Sequence, residues 1–241
     1  MIIFDGVDMQ SVASVKIEDV RVSSIQYAPL ARARSSSAGS VFVRNRPGTR
    51  TVTVTFALLK QERVSRQAAL SAISAWAKTD KEYKLELPGH PDRFLTATCT
   101  AKPDPSLRQW WEGKLKIVFT CYDDPFWNDN VEKSAACGTD FFVLGDAPPK
   151  MRIERDLSAE ATNQEYWFVE YKNNAGYIRE KMYFSSIPAG HMVIDLTEQT
   201  AKVGSSSIMQ YYNINSKFGI ARIGAQSVTG TGTVKYRERF S

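Results

Sequence analysis

The clearest pattern in the chain is the alternation Val52, Val54, Phe56, Leu58, in which the intervening residues are Thr or Ala. Successive side chains of a strand point to opposite faces of a sheet, so this period predicts a strand with one buried face. The same period recurs at Tyr83, Leu85 and Leu87, at Leu95, Ala97, Cys99 and Ala101, and at Leu115, Ile117, Phe119 and Cys121. Strands over 83–87, 94–101 and 114–122 follow. Upstream, Val15 and Ile17 are out of phase with Val20 and Val22. That slip predicts either a bulge near Glu18 and Asp19 in one strand over 15–22, or two short strands around a turn.

One segment changes period. Ala69, Ile73 and Trp76 recur at helical spacing with Ala68 and Ala72 on the same side, predicting a helix over 62–79 whose narrow stripe lies on a sheet. Trp76 is its bulky anchor. The first part of the chain is therefore expected to be an α+β domain, a β-sandwich-like sheet with one helix. It closes at Asp123-Asp124-Pro125-Phe126-Trp127, and the polar, poorly patterned stretch 128–140 places the boundary between domains at 1–133 and 134–241.

The second part predicts short strands over 140–144, 150–155, 165–171, 176–184, 191–196, 201–203, 208–212 and 233–240. Pro148-Pro149, Asn173-Asn174, Pro188-Ala189-Gly190, Gly204 and Gly230 punctuate them. Regular strands at this spacing point to a β-sandwich of the jelly-roll or lectin-like kind. The fold class expected for the whole chain is mainly β.

With 241 residues, 43% hydrophobic and 24% charged, the composition is that of a globular protein able to bury its own core. No apolar run reaches the length of a membrane span, and the N-terminus lacks the pattern of a signal peptide. Cytoplasmic synthesis without membrane insertion is the expectation. The three cysteines, Cys99, Cys121 and Cys137, are widely spaced, which argues against a disulfide framework and against cysteine-based metal binding. Cys99 and Cys121 fall at inward positions and are expected to be core thiols.

Charge alters the picture in one place. The net charge is only +5, but Val20 to Gln61 contains no Asp or Glu and seven cations, among them Arg32, Arg34, Arg44, Arg46 and Arg50. With a loop of small residues at 35–40 and an Arg-Pro-Gly-Thr turn at 46–49, the stretch predicts a strand pair carrying a basic, mobile arm. So small a total charge, and arginines without interleaved aromatics, do not make a nucleic-acid binder.

Chemistry is sparse. His90 and His191 are the only histidines, and neither adjoins a nucleophile motif or a metal-ligand spacing. Gly230-Thr231-Gly232 has no following helix to complete a phosphate loop, so a hairpin turn explains it. No catalytic residue, metal or cofactor is expected. The aromatic set Tyr166, Trp167, Phe168, Tyr171, Tyr177, Tyr183, Tyr211 and Tyr212 fits core packing of a sandwich; stacking on sugar rings is the alternative, with Tyr166, Trp167 and Tyr171 as its candidates.

Arg44-Asn45-Arg46-Pro47-Gly48-Thr49-Arg50 leading into the alternating strand, the helix with Trp76, residues 113–119 and Asp124-Pro125-Phe126-Trp127 together resemble the N-terminal domain of the siphophage distal tail protein family. Leu144-Gly145-Asp146-Ala147-Pro148-Pro149, Ile187-Pro188-Ala189-Gly190 before Val193-Ile194-Asp195-Leu196, and Val234 to Phe240 are similar to its C-terminal domain. The resemblance implies a structural protein of the virion tail tip: a homohexameric hub ring built by the N-terminal domains, with a galectin-like sandwich outside it. It implies contacts with the tail tube protein, the tail-associated protein and receptor-binding proteins, with DNA only as transiting cargo. It does not carry sugar binding over, because the galectin His-Asn-Pro-Arg and Trp-Gly-x-Glu residues are missing here. A conduit that gripped its cargo would not release it, so Arg32, Arg34, Arg44, Arg46 and Arg50 are expected to meet acidic residues of a neighbouring subunit or partner. A carbohydrate-binding module acting in host attachment through the second domain is the rival expectation.

Overall fold

The computed structural model describes residues 1–33, 40–59, 63–103, 114–172 and 175–241. The chain is mainly β and forms two compact units, Met1–Trp127 with Ser241, and Asn128–Phe240.

The first unit opens with elements that the sequence pattern did not predict. Strands β1 (Ile3–Phe4) and β2 (Val7–Asp8) form a tight hairpin, and the one-turn helix α1 (Met9–Val12) follows with Asp8 as its N-cap. Next come β3 (Val15–Val22), β4 (Tyr27–Ala33), β5 (Ser40–Pro47) and β6 (Arg50–Leu58), then helix α2 (Arg63–Trp76). Strands β7 (Tyr83–Glu86), β8 (Arg93–Ala101) and β9 (Lys114–Cys121) complete the unit's principal sheet, and the short β10 (Trp127–Asp129) follows. Antiparallel pairing gives the order β3-β6-β9-β8-β7-β1-β2.

Pairing decides between the two expectations for the first strand. β3 is continuous, and its register on β6 shifts between Ile17 and Asp19, so the phase slip is a bulge that returns Val20 and Val22 to register with Val54 and Val52. Alternation along β6, β8 and β9 buries Val52, Val54, Phe56, Leu95, Ala97, Cys99, Leu115, Ile117 and Phe119 on one face. α2 meets the core through Leu70, Ile73, Trp76 and, just past its end, Ala77. The buried stripe thus centres one position away from the predicted one, and Ala68 is exposed. Glu62, where the helix was expected to begin, lies outside the described residues.

At the centre of this core Phe4 touches three rings, with centroids 5.7 Å from Trp76, 5.5 Å from Tyr83 and 5.0 Å from Phe119. Trp76 also stacks edge-on against Phe119 and donates its indole Nε1–H to the Val7 carbonyl at 2.9 Å. The aromatic cluster therefore ties the N-terminal hairpin, the helix and the sheet together, and it satisfies the one polar group the indole brings inside.

The second unit comprises β11 (Lys133–Ala136), β12 (Asp140–Val143), β13 (Ala147–Leu157), β14 (Ala161–Lys172), β15 (Ala175–Ile187), β16 (Gly190–Asp195), β17 (Thr200–Val203), β18 (Ser206–Ser207), β19 (Gly224–Thr229) and β20 (Thr233–Phe240). They form two antiparallel sheets, β18-β17-β16-β13-β20-β11 and β12-β19-β14-β15. Met151, Ile153, Ile194 and Val234 from the first sheet and Tyr166, Phe168, Met182, Phe184 and Val228 from the second share one core, making a sandwich. Two segments differ from the sequence pattern. Ile208 to Tyr212 is not a strand: Tyr211 donates its backbone N–H to Ile208 and Tyr212 to Met209, closing a 3-10 turn (Met209–Tyr211) that seats Ile208 in the core. Within 128–140, expected to be unpatterned, β11 pairs with β20 and Glu132 receives a bidentate pair from Arg152 at 2.7 and 2.9 Å.

The three thiols are free, and burial pushes each of them up. Cys121 rises to about 12, with Glu82 adding to the effect of burial and Arg50 opposing it; Cys137 rises to about 11. Burial likewise raises Cys99. A thiol reagent at about pH 8 is therefore expected to label the native protein far more slowly than the unfolded chain, since the thiolate is the reactive form. The sign of the accompanying stability change is fixed. An unfolded thiol ionises near its ordinary value of 9.0 and folded Cys121 only at about 12, so stability falls as pH rises through that window, which denaturation curves at successive alkaline pH values will read.

Candidate interaction surfaces

The basic stretch builds a ribbon. Among the described residues, strands β4 and β5 pair only with each other, from Tyr27 opposite Pro47 to Ala33 opposite Ser40, with an irregularity between Leu30 and Ala31. Arg32 lies opposite Val41, Arg44 opposite Leu30 and Arg46 opposite Ala28. Arg34 and most of the 35–40 loop lie outside the described residues. An isolated two-stranded hairpin is marginally stable in water, so a ribbon of this kind depends on its root and on what it meets.

The root is firmly closed. Ser23 donates its backbone N–H to the Thr51 carbonyl and accepts the Thr51 N–H at its hydroxyl, both at 2.9 Å, while Gln26 N–H reaches the Thr49 carbonyl at 3.1 Å. Ile25 is buried beside these bonds. Gly48 is required by proximity: its N–H donates to the Gln26 carbonyl, and a β-carbon at this position would stand 2.7 Å from the same oxygen. Gly48→Ala must displace backbone, with an expected loss of about 1–3 kcal/mol in chemical denaturation. A change under a few tenths would show that the root is not rigid.

Arg50 departs from the expectation. It is only 4% exposed, in phase with buried Val52 and Val54 and opposite Cys121, so it belongs to the interior of the first unit and offers no surface to a neighbour. Asp124 is also buried, and Glu82 accepts the backbone N–H groups of Tyr122 and Asp123, with burial raising its pKa above the usual carboxylate value.

The three sugar-stacking candidates do not form one surface. Tyr166 is 1% exposed and its hydroxyl donates to the Thr231 carbonyl at 3.3 Å, so alternation along β14 sends it into the core while Trp167 faces outward. Tyr171 lies four residues on, its hydroxyl 3.3 Å from that of Ser227. Trp167 instead lines a cleft of about 840 Å³ with residues from β15 and from 213–217, a segment to which the sequence assigned no role. That segment runs along the outer edge of β15, where Asn213 donates its backbone N–H to the Tyr183 carbonyl and Lys217 to the Lys181 carbonyl, each at 2.9 Å.

Both histidines are exposed. His90 packs its ring 4.4 Å from that of Trp127, and His191 Nδ1 lies 2.7 Å from Asp156 Oδ1. No group of three or more metal-ligating side chains occurs among the described residues, and no described helix is long and apolar enough to cross a membrane.

No protein-family model matches the chain, and no curated protein does. Among solved structures, the crystal structure of SPP1 Dit, described as a paradigm of the hub adsorption apparatus in phages infecting Gram-positive hosts, aligns with a TM-score of 0.73. The alignment covers 100% of this chain and 98% of that one, at 15% identity. This chain has the fold of SPP1 Dit. A chain of the phage P2 baseplate in its activated conformation gives a TM-score of 0.45 at 8% identity, covering 96% and 92%. The match to SPP1 Dit spans both units, so the α+β unit and the sandwich occur in the same order in the two chains. Fifteen per cent identity leaves few side chains in common, and the likeness is one of backbone architecture.

Proposed function

We propose that this protein is a structural hub of a siphophage tail tip, a distal tail protein whose first unit assembles into a homohexameric ring. The observation that carries this reading is the end-to-end fold it has in common with SPP1 Dit. A second feature supports it: a separate two-stranded ribbon whose outer edges are unpaired among the described residues, rooted by three backbone–backbone hydrogen bonds and one to the Ser23 hydroxyl, is suited to reach a neighbouring subunit. A closed ring needs heterologous contacts, one patch meeting a different patch, and in this reading a ribbon outside the principal sheets supplies one of the two.

In this reading the ring joins the tail tube protein to the tail-associated protein, receptor-binding proteins dock outside it, and DNA only passes through. Arg32, Arg34, Arg44 and Arg46 pair with acidic groups of the adjacent subunit or partner, where bidentate guanidinium contacts fix geometry as well as charge. Function then resides in interfaces, and no enzymatic step is assigned. Native mass spectrometry and negative-stain imaging test the proposal. Sixfold rings, or oligomers that grow with concentration, are expected; a protein that stays monomeric at high concentration and also fails to assemble with its tail partners would overturn it.

A further inference from the structure

We infer that residues 129–136 are a releasable strap, held on the second unit by charge, which detaches when its carboxylates are neutralised while the sandwich stays folded. Burial singles the stretch out. Asn128 before it has no exposed surface, and Cys137 after it is half-buried and donates its N–H to the Gly232 carbonyl at 2.9 Å. None of the eight residues between them is buried, and none belongs to the core that the two sheets share. Burial therefore anchors both ends of the stretch and nothing within it.

What holds the middle is ionic. β11 itself adds only a ladder of four residues to β20. Arg237 donates to the carbonyls of Asp129 and Asn130 at 2.5 and 2.9 Å, and Arg152 grips Glu132 through both carboxylate oxygens. Lys133 reaches Glu238 at 2.7 Å, while Glu154 joins Arg152 at 2.5 Å to Lys235 at 2.6 Å. Lys150, Asp195 and Glu198 line the cleft beside Arg152 and Arg237. Glu132, Glu154 and Glu238 thus stand among Arg152, Arg237, Lys133 and Lys235, and neutralising the three carboxylates leaves four cations crowded on three strands. Burial raises the Glu154 carboxyl, but hydrogen bonds from Lys235 and Arg152 outweigh it and hold the group below its ordinary 4.5. Its contribution is therefore complete at neutral pH and is lost as pH falls through the lowered value. Once free, eight residues span up to about 25 Å, a length of chain that the fold keeps in reserve between Asn128 and Cys137.

The strap is independent of the hub reading, since it needs neither the ribbon nor a ring, and failure of either leaves the other standing. Hydrogen exchange on the full chain, expressed as protection factors, tests it. At neutral pH the amides of 133–136 should exchange through a local opening indifferent to low denaturant, whereas those of β13 and β16 open with a strong denaturant dependence. On acidification to about pH 3, strap protection should fall by at least about tenfold before β13 and β16 lose theirs, since one charge-assisted bond is equivalent to about that factor. Glu132→Gln should bring a loss of about tenfold at neutral pH, confined to the strap, and Arg237→Met the same from the side of β20. Glu132 lies on the strap itself and is not buried, so its variant tests the contact without a cost to the sandwich. Strap and sandwich amides that lose protection together, or strap protection indifferent to Glu132→Gln, would each overturn the assignment.

Discussion

Phe4→Ala is expected to destabilise the first unit by about 3–5 kcal/mol, the largest stability loss foreseen for any single truncation in this chain. Phe4 has no exposed surface and contacts Trp76, Tyr83 and Phe119 at once, so its removal leaves a cavity walled by three large rings that cannot collapse without shifting helix and sheet together. The hairpin that carries Phe4 has only two residues per strand, and its pairing alone cannot hold it. Calorimetry should therefore show a melting transition lowered by roughly 10 °C or more. Phe142→Ala is the control: Phe142 is 57% exposed, and its loss should change stability by less than about 0.5 kcal/mol. A loss below about 1 kcal/mol for Phe4→Ala would mean that the cluster is not the keystone of the unit.

The second large effect lies in assembly. Replacing Arg44 and Arg46 together by Glu is expected to reduce incorporation into tails, and infectivity with it, by orders of magnitude. The two residues occupy β5 of a ribbon whose pairing is confined to itself, so the change falls on an element that contributes no strand to either principal sheet. In the proposed ring each reversed charge recurs six times, and disrupting one buried charge pair at an interface costs about 2–5 kcal/mol. Electron microscopy of tails from complemented lysates, with the melting temperature of the purified variant as the folding control, reads the outcome. Normal tails would remove the arginines from any part in assembly. Arg44→Lys with Arg46→Lys should retain part of the function, since charge survives and the bidentate geometry does not.

Much of this fold could be seen in the sequence where one face is buried and the other wet. The alternation at Val52, Val54 and Phe56, and that at Leu115, Ile117 and Phe119, are consequences of such burial. The slip between Ile17 and Val20 likewise anticipated an irregularity that the β3–β6 register displays. The hairpin of β1 and β2 escaped because two-residue strands are too short to establish a period. β19 escaped for another reason: it buries Gln226, whose amide donates to the Arg222 carbonyl, and Ser227, whose hydroxyl meets that of Tyr171, so hydropathy gives no sign of it. At Ile208 to Tyr212 an apolar run imitated a strand, and only the i to i+3 bonds distinguish it.

For the interaction surfaces, the sequence holds two further signals. Arg50 is in phase with Val52 and Val54, and continuing that period by one step predicts its burial. Adjacent residues on a strand face opposite ways, so Tyr166 and Trp167 could not both stack on one ligand. The cleft itself was not legible, because it joins Trp167 to Lys217 across 50 positions and depends on a segment without hydrophobic period.

The segment 213–217 has a consequence beyond the cleft. The sheet β12-β19-β14-β15 ends at β15, a strand of 13 residues whose outer edge is a template on which a foreign strand could lay itself down. By occupying the carbonyls of Lys181 and Tyr183, the segment interrupts that template near its middle and leaves two shorter stretches. Partial detachment of this cover would thus reveal itself less as lost folding than as lost solubility, through edge-to-edge polymerisation of sandwiches that are otherwise intact.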